Sequence, residues 1–317
     1  MTLKAPFPYF GGKRHVAPLA WRLLGDPACY VEPFAGSAAV LLGRPRFEGK
    51  RREIINDLDG WITNLWRAVR DKPEEVARYA RGPIMELDNH ARLAWLRWRG
   101  ADPSFADWLA GHPENCDPKA AGWWLLATVA SIGGGTRQGP WVHTGGGALQ
   151  KAGPQDGISR SIPDLGHGRA VHDYDALLPR LGQRFARVTI TQGDWRRALS
   201  KALETAYRGN VGVFLDPPYS IREEVDKTLY SQDSLHVSHD VREWCKDAPA
   251  DWRIILCGYD DEHDELLTHG WLKAKPPRHM SAGYNMSGLN ANRDQLWTSP
   301  ACLDVHRQDV LDFGEAS

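Results

Sequence analysis

A chain of 317 residues, 25% charged and 42% hydrophobic, has globular composition and room for one large domain or two modest ones, which argues against a disordered protein. No apolar run approaches the roughly 18 residues of a membrane span, and Met1 to Phe10 lacks a signal-peptide core, so no membrane partner and a cytoplasmic location are expected. A net charge of -1 gives no global sign of a polyanionic partner, although a nucleic-acid enzyme can confine its basic surface to one cleft.

In chain order, Cys29 to Glu32 is a short strand that runs into Pro33-Phe34-Ala35-Gly36-Ser37 and a helix-compatible Ala38 to Leu42. A basic run follows, Arg44, Arg46, Lys50, Arg51 and Arg52 against Glu48, which is expected to be a solvated turn. Glu53 to Asp57 reads as a second strand ending on an acid, which completes half of a nucleotide-binding β-α-β unit. From Trp61 to about Ile132 the pattern is helical and aromatic. Eight of the chain's 14 tryptophans lie between Trp61 and Trp141, and helix packing accounts for most of them. Glycine dominates from Gly133 to Gly168, which suggests a long irregular loop of the kind that is usually functional or disordered.

After Leu177 the alternation resumes. Arg187 to Thr191 is expected as a strand, Trp195 to Tyr207 as a helix and Val211 to Leu215 as a buried strand. Val241 to Lys246 reads as helix, Arg253 to Cys257 as another buried strand and Gln295 to Thr298 as a late strand. The sheet is thus interrupted by a helical and loop insertion. Cys29, Cys116, Cys245, Cys257 and Cys302 never form a CxxC pair, so reduced thiols and no metal site are expected; His112 and Cys116, at helical spacing, have no second ligand pair.

Asp216-Pro217-Pro218-Tyr219 falls where the strand Val211 to Leu215 ends, and in an open α/β sheet ligands sit beyond the carboxyl ends of the strands. Two successive prolines fix φ and remove two backbone donors, so the local carbonyls are held as acceptors. An exocyclic amine has two N–H groups, which the Asp216 carboxylate and the Pro217 carbonyl can receive together, while Tyr219 offers a flat face for a base. On the residues alone the alternative is a tight strand exit with a packing tyrosine. Asp57 lies at the end of the second strand, where an acid binds ribose hydroxyls; a helix N-cap is the alternative role, and its spacing from Gly36 suits NAD as well as other nucleotides. The missing GxGxxG counts against a pyrophosphate-bearing ligand. Asp194 is a strand-end acid or a helix cap.

The tetrapeptide resembles the DPPY motif of amino-methyltransferases acting on adenine N6. Relatives acting on cytosine N4 more usually begin with Ser, and those acting on glutamine amides with Asn. Glu32 to Ala38 resembles the same family's FxGxG loop, with Phe34 and Gly36 in place and Ala38 where the second glycine is usual. Tyr9-Phe10-Gly11-Gly12-Lys13 is similar to the N-terminal motif of Dam-type enzymes, in which an aromatic residue and a lysine, here Tyr9 and Lys13, contact the cofactor. Thr191 to Trp195 matches the segment whose acid, here Asp194, approaches the cofactor adenine. The order of these blocks is that of the alpha group, and Arg253 to Tyr259, Asn292 to Trp297 and Gly139-Pro140-Trp141 look like later blocks of phage-type enzymes. Cys257-Gly258 stands where many Dam-type relatives have Ser-Asn.

The resemblance is to D12-class, Dam-like DNA adenine N6-methyltransferases of phage or prophage type. It implies a Rossmann-like α/β sheet, residues 1–60 and 185–317, with a mainly helical target-recognition insertion at 61–184. It implies S-adenosylmethionine as cofactor, held by Tyr9, Lys13, Phe34, Gly36, Asp57, Asp194 and Asp216. Catalysis falls on Asp216, Pro217, Pro218 and Tyr219, and double-stranded DNA is the partner. In the insertion, Arg137 can bond a guanine edge, Gln138 an adenine edge, and Trp141 can fill the gap left by an extruded base; a surface loop with Trp141 pinned to the core is the other reading. Rival functions are a cytosine-N4 or RNA amino-methyltransferase, a non-catalytic DNA-binding protein on this scaffold, and a nicotinamide-dependent oxidoreductase, which should have a fuller glycine fingerprint.

Overall fold

A computed structural model describes residues 3–7, 13–81, 86–130, 173–218, 232–276 and 293–303. Its helices are α1 (Ala17–Leu24), α2 (Ala39–Leu42), α3 (Gly60–Asp71), α4 (Pro73–Ala80), α5 (Glu86–Ala101), α6 (Pro103–Gly111), α7 (Pro118–Ala130), α8 (Tyr174–Phe185), α9 (Lys201–Tyr207) and α10 (Gln232–Lys246). The strands are β1 (Cys29–Glu32), β2 (Arg52–Asp57), β3 (Val188–Gln192), β4 (Val211–Leu215), β5 (Arg253–Tyr259), β6 (Leu272–Ala274) and β7 (Asp294–Thr298). They hydrogen-bond in the order β3-β2-β1-β4-β5-β7-β6. β1 and β4 pair in parallel, as do β4 and β5, whereas β7 runs antiparallel to both β5 and β6. This is a mixed α/β, Rossmann-like sheet. Among the described residues no helix is long and apolar enough to cross a membrane.

The chain divides into two compact units, one made of Leu3–Gly12 and Ile55–Trp195, the other of Lys13–Ile54 and Arg196–Ser317. The first unit is built around aromatic rings. Trp66 is fully buried on α3 and stacks on Phe185 of α8 at 4.5 Å between centroids, while Phe7 meets Trp124 of α7 edge-on at 5.2 Å. This packing explains much of the tryptophan content, although Trp98 and Trp108 stay exposed. Arg67 on α3 is buried in the same unit without a carboxylate hydrogen bond. Its guanidinium donates to the carbonyls of Ile190, Leu109, His112 and Asn115, so one side chain satisfies the ends of several elements.

In the second unit β4 is buried along its whole length, as its unbroken apolar run requires of a strand covered on both faces. α1 starts with a proline in its first turn and stops at Gly25, whose φ of 65° and N–H bond to the Trp21 carbonyl end the helix. The basic run after α2 is not simply solvated. Arg44 is 3% exposed and donates to Glu53, Asp26 and the Pro27 carbonyl, and Arg51 bonds Asp26 as well. A buried guanidinium survives there because both of its terminal nitrogens meet acceptors, two of them carboxylates. The Trp195 to Tyr207 segment is also not one helix: a 3-10 turn at Trp195–Ala198 is separated from α9 by Ser200, whose backbone is extended. All five cysteines are free thiols. The Gly133 to Gly168 stretch lies outside the described residues.

Candidate active site

Strand order reverses between β1 and β4. From β1 the chain moves outward to β2 and β3, and from β4 it moves the other way to β5, so the carboxyl ends of β1 and β4 flank a topological switch point. The register Tyr30↔Gly212 and Val31↔Val213 places Glu32 and Asp216 at the same end of the sheet. Asp216 is half-buried, Pro217 buried and Pro218 half-buried.

Beyond β1 the backbone turns through two left-handed residues. Gly36 has φ 45°, and Ala38 has φ 50° and ψ 34°, with the Ala38 N–H bonded to the Ala35 carbonyl at 2.6 Å. The Ala38 position is one that a glycine would occupy without strain, whereas an L-residue there costs about 1–2 kcal/mol. Its methyl is completely buried, and that burial offsets about 0.8 kcal/mol of the cost. The departure from the two-glycine pattern therefore keeps the turn. Phe34 is half-buried and Gly36 buried in this loop.

Glu32 fixes the same turn from below. Its carboxylate Oε2 accepts the Tyr30 hydroxyl at 3.0 Å and the Leu41 N–H at 3.1 Å, satisfying one of the donors that the start of α2 leaves unpaired. Burial pushes the Glu32 carboxyl up to about 8, against the two hydrogen bonds, with the negative charges of Asp216 and Glu53 adding to the rise.

Lys13 reaches the switch point from a short 3-10 turn, Lys13–His15. Its Nζ lies 3.1 Å from Asp216 Oδ1, and its side chain is 6% exposed. Burial works against the ammonium, but the charges of Asp216 and Asp294 and the Asp216 hydrogen bond outweigh it and hold its pKa above the ordinary lysine value. Asp294, the first residue of β7, is pushed up by burial and by Asp216, with Lys13 opposing, and His15 Nε2 stands 4.0 Å from its Oδ2. On β5 the register Leu215↔Leu256 sets Cys257 level with Asp216. A Cβ on Gly258 would sit 2.7 Å from the buried His263 ring, so the Cys257-Gly258 pair is where this chain makes room for that histidine.

The first unit holds the two other acids. Asp57 ends β2, and its Oδ1 accepts the Asp59 N–H at 2.9 Å; Asp59 in turn caps α3 by accepting the Trp61 N–H at 2.8 Å. The alternative role of Asp57 as a helix cap is thus filled by Asp59, whose carboxyl burial pushes up to about 6. The Asp57 carbonyl accepts the Gly193 N–H at 3.0 Å and Asn56 Nδ2 bonds the Gly193 carbonyl at 2.9 Å, which brings exposed Asp194 to the strand end beside Asp57. Tyr9, Tyr219, Arg137, Gln138 and Trp141 lie outside the described residues. Sequence reasoning did not single out Glu32 or Asp294; each is an acid at one end of a largely buried strand, the one signal that marks them.

A switch point carrying an acid and two prolines, beside a left-handed turn after β1, has the geometry of a ligand site in an open, Rossmann-like α/β sheet. Residues 9–91 match the family model described as D12 class N6 adenine-specific DNA methyltransferase, about a quarter of the chain. The matched family is one of adenine-specific DNA methyltransferases, and the activity it implies is S-adenosylmethionine-dependent methylation of adenine N6 in DNA. The matched segment includes Tyr9, Lys13, Phe34, Gly36 and Asp57; Asp216 to Tyr219 lies beyond it. A comparison with curated proteins finds no match.

Proposed function

We propose that this chain is a site-specific, phage-type methyltransferase acting on double-stranded DNA in the cytoplasm, with Asp216 to Tyr219 as its catalytic tetrapeptide. The observation that carries the reading is the place of Asp216-Pro217-Pro218 at the carboxyl end of β4, at the sheet's switch point, in a chain whose N-terminal segment matches the D12 family. In this reading residues 1–60 and 185–317 are catalytic and 61–184 recognise the target.

The donor set suits the cofactor: a left-handed backbone turn at Gly36 for close approach, and carboxylates at Asp57 and Asp194 for hydroxyl and amine donors. Tyr9, Phe34, Gly36, Asp57, Asp194 and Asp216 are the residues that would hold S-adenosylmethionine, which supplies a methyl group on a positively charged sulfur. The chain's own work is on the adenine. The two N6 N–H bonds point to the Asp216 carboxylate and the Pro217 carbonyl, which raises electron density on nitrogen and aims its lone pair. Tyr219 stacks on the extruded base.

Replacing Asp216 by Ala removes the charged acceptor and should lower turnover on the order of 100-fold or more, with the fold intact. Sequencing that detects methylated adenine, applied to DNA from cells expressing wild-type or variant protein, tests the reaction and the site together. Near-normal methylation by the variant would sink this assignment of Asp216.

A further inference from the structure

Lys13 and Asp216 are far apart in the chain, yet their charged atoms lie 3.1 Å apart with the lysine almost completely enclosed. An ammonium in that setting needs a carboxylate, because an unpaired buried charge is strongly unfavourable. What the pair does for Asp216 follows from the other groups around it. Among the described residues, the charged and titratable groups that interact with Asp216 are Lys13 from the N-terminal turn, Glu32 from β1, Cys257 from β5 and Asp294 from β7. His15 stands beyond Asp294. Asp216 therefore sits between two further acids, and Lys13 is the cation closest to it in this group.

We infer that Lys13 is a positioning residue for Asp216: its ammonium, 3.1 Å from one carboxylate oxygen, fixes the carboxylate plane toward the adenine amine. This rests on the reading of Asp216 as the amine's acceptor, and it differs from the cofactor contact that resemblance gives Lys13. The geometry supports it in two ways. A carboxylate has about four acceptor sites, so an oxygen engaged by one lysine N–H still accepts another donor. The lysine also removes the freedom of the side chain to turn toward Glu32 or Asp294.

The test uses the full-length protein with S-adenosylmethionine and adenine-containing duplex DNA. Lys13→Met should lower kcat by about 10- to 100-fold, the scale of a misplaced reacting group. The S-adenosylmethionine dissociation constant, titrated without DNA, and the KM for DNA should stay within about threefold of wild type. Lys13→Arg should recover part of the rate, since a cation is restored. Weaker cofactor binding with kcat unchanged at saturation would make Lys13 a cofactor contact, and unchanged kcat with lowered thermal stability would make the pair structural; either overturns the inference.

Should Lys13→Met not fold, Asp216→Asn is compared with Asp216→Asn/Lys13→Met, which removes both members of the ion pair. Equal residual rates are expected, because Lys13 acts through Asp216; a further loss of about tenfold in the double variant overturns the inference. Wild-type protein that leaves adenine unmethylated would instead overturn the function reading itself.

Discussion

Glu32 links the local backbone to the behaviour of the protein with pH. Its carboxylate accepts from Tyr30 and from Leu41 in a buried place, and burial raises its pKa from 4.5 to about 8. Between those two values the folded protein holds a proton that the unfolded chain has released. Folding stability therefore falls as pH rises through this window, by at most about 1.4 kcal/mol per pH unit from this group, and the full penalty is present above the folded pKa. Glu32→Gln keeps an acceptor for the Leu41 N–H and removes the titration. Chemical denaturation at several pH values should show the variant gaining on wild type from mildly acidic to mildly alkaline conditions, with little difference at acid pH. A difference that stays constant across the window would show that Glu32 does not titrate there.

Among the elements, α7 and α4 approach each other closely enough that one glycine decides the contact. A Cβ on Gly122 would lie 2.5 Å from the Tyr79 Cβ, 2.7 Å from the Val76 carbonyl oxygen and 3.0 Å from the Ala80 nitrogen, and two of these are backbone atoms that cannot swing aside. In an open helix Gly→Ala stabilises by about 1 kcal/mol through helix propensity. Here overpacking costs about 1–3 kcal/mol, so Gly122→Ala should be net destabilising by about 1 kcal/mol, read as a lower denaturation midpoint; a gain would mean that the helices move apart freely. The sequence does not show this contact, because it lies between two helices that each look ordinary. What it does show is set by short-range pattern: β4 is legible as five buried residues closed by Asp-Pro-Pro, and α3 to α7 as a helical run rich in tryptophan. β6 is not legible, since Leu272 and Lys273 are exposed and the strand exists only through pairing with β7. In the site, Asp216, Lys13 and Gly36 each stand in a recognisable motif. The Lys13 to Asp216 pair, the Tyr30 to Glu32 bond and the cap from Asp59 depend on how the chain returns on itself, and motif spacing has no access to that.

On the scale of the whole molecule, 39 basic residues face 40 acidic ones, so affinity for a polyanion has to come from where the cations stand. Many of those described are already paired: Arg44 and Arg51 with Asp26, Arg81 with Asp175, Arg196 with Asp240, and Arg242 and Lys246 with Glu265. Each would have to exchange its partner for a phosphate, which returns little net energy at the surface. Arg137, in the glycine-rich stretch assigned to recognition, is the cation on which the proposal places a direct DNA contact. Immobilising an arginine side chain on DNA costs conformational entropy, so its contact must outweigh that cost before it contributes affinity. Arg137→Ala should weaken DNA binding while S-adenosylmethionine affinity, titrated without DNA, stays at the wild-type value. The salt dependence tells the kind of contact: loss of a phosphate contact weakens all sequences alike and lowers the slope of log affinity against log salt by about 1, whereas loss of a guanine contact costs about 1–3 kcal/mol and relaxes the choice of site. A folded variant that binds DNA as wild type does, or one that loses the cofactor instead, would place recognition elsewhere in the chain.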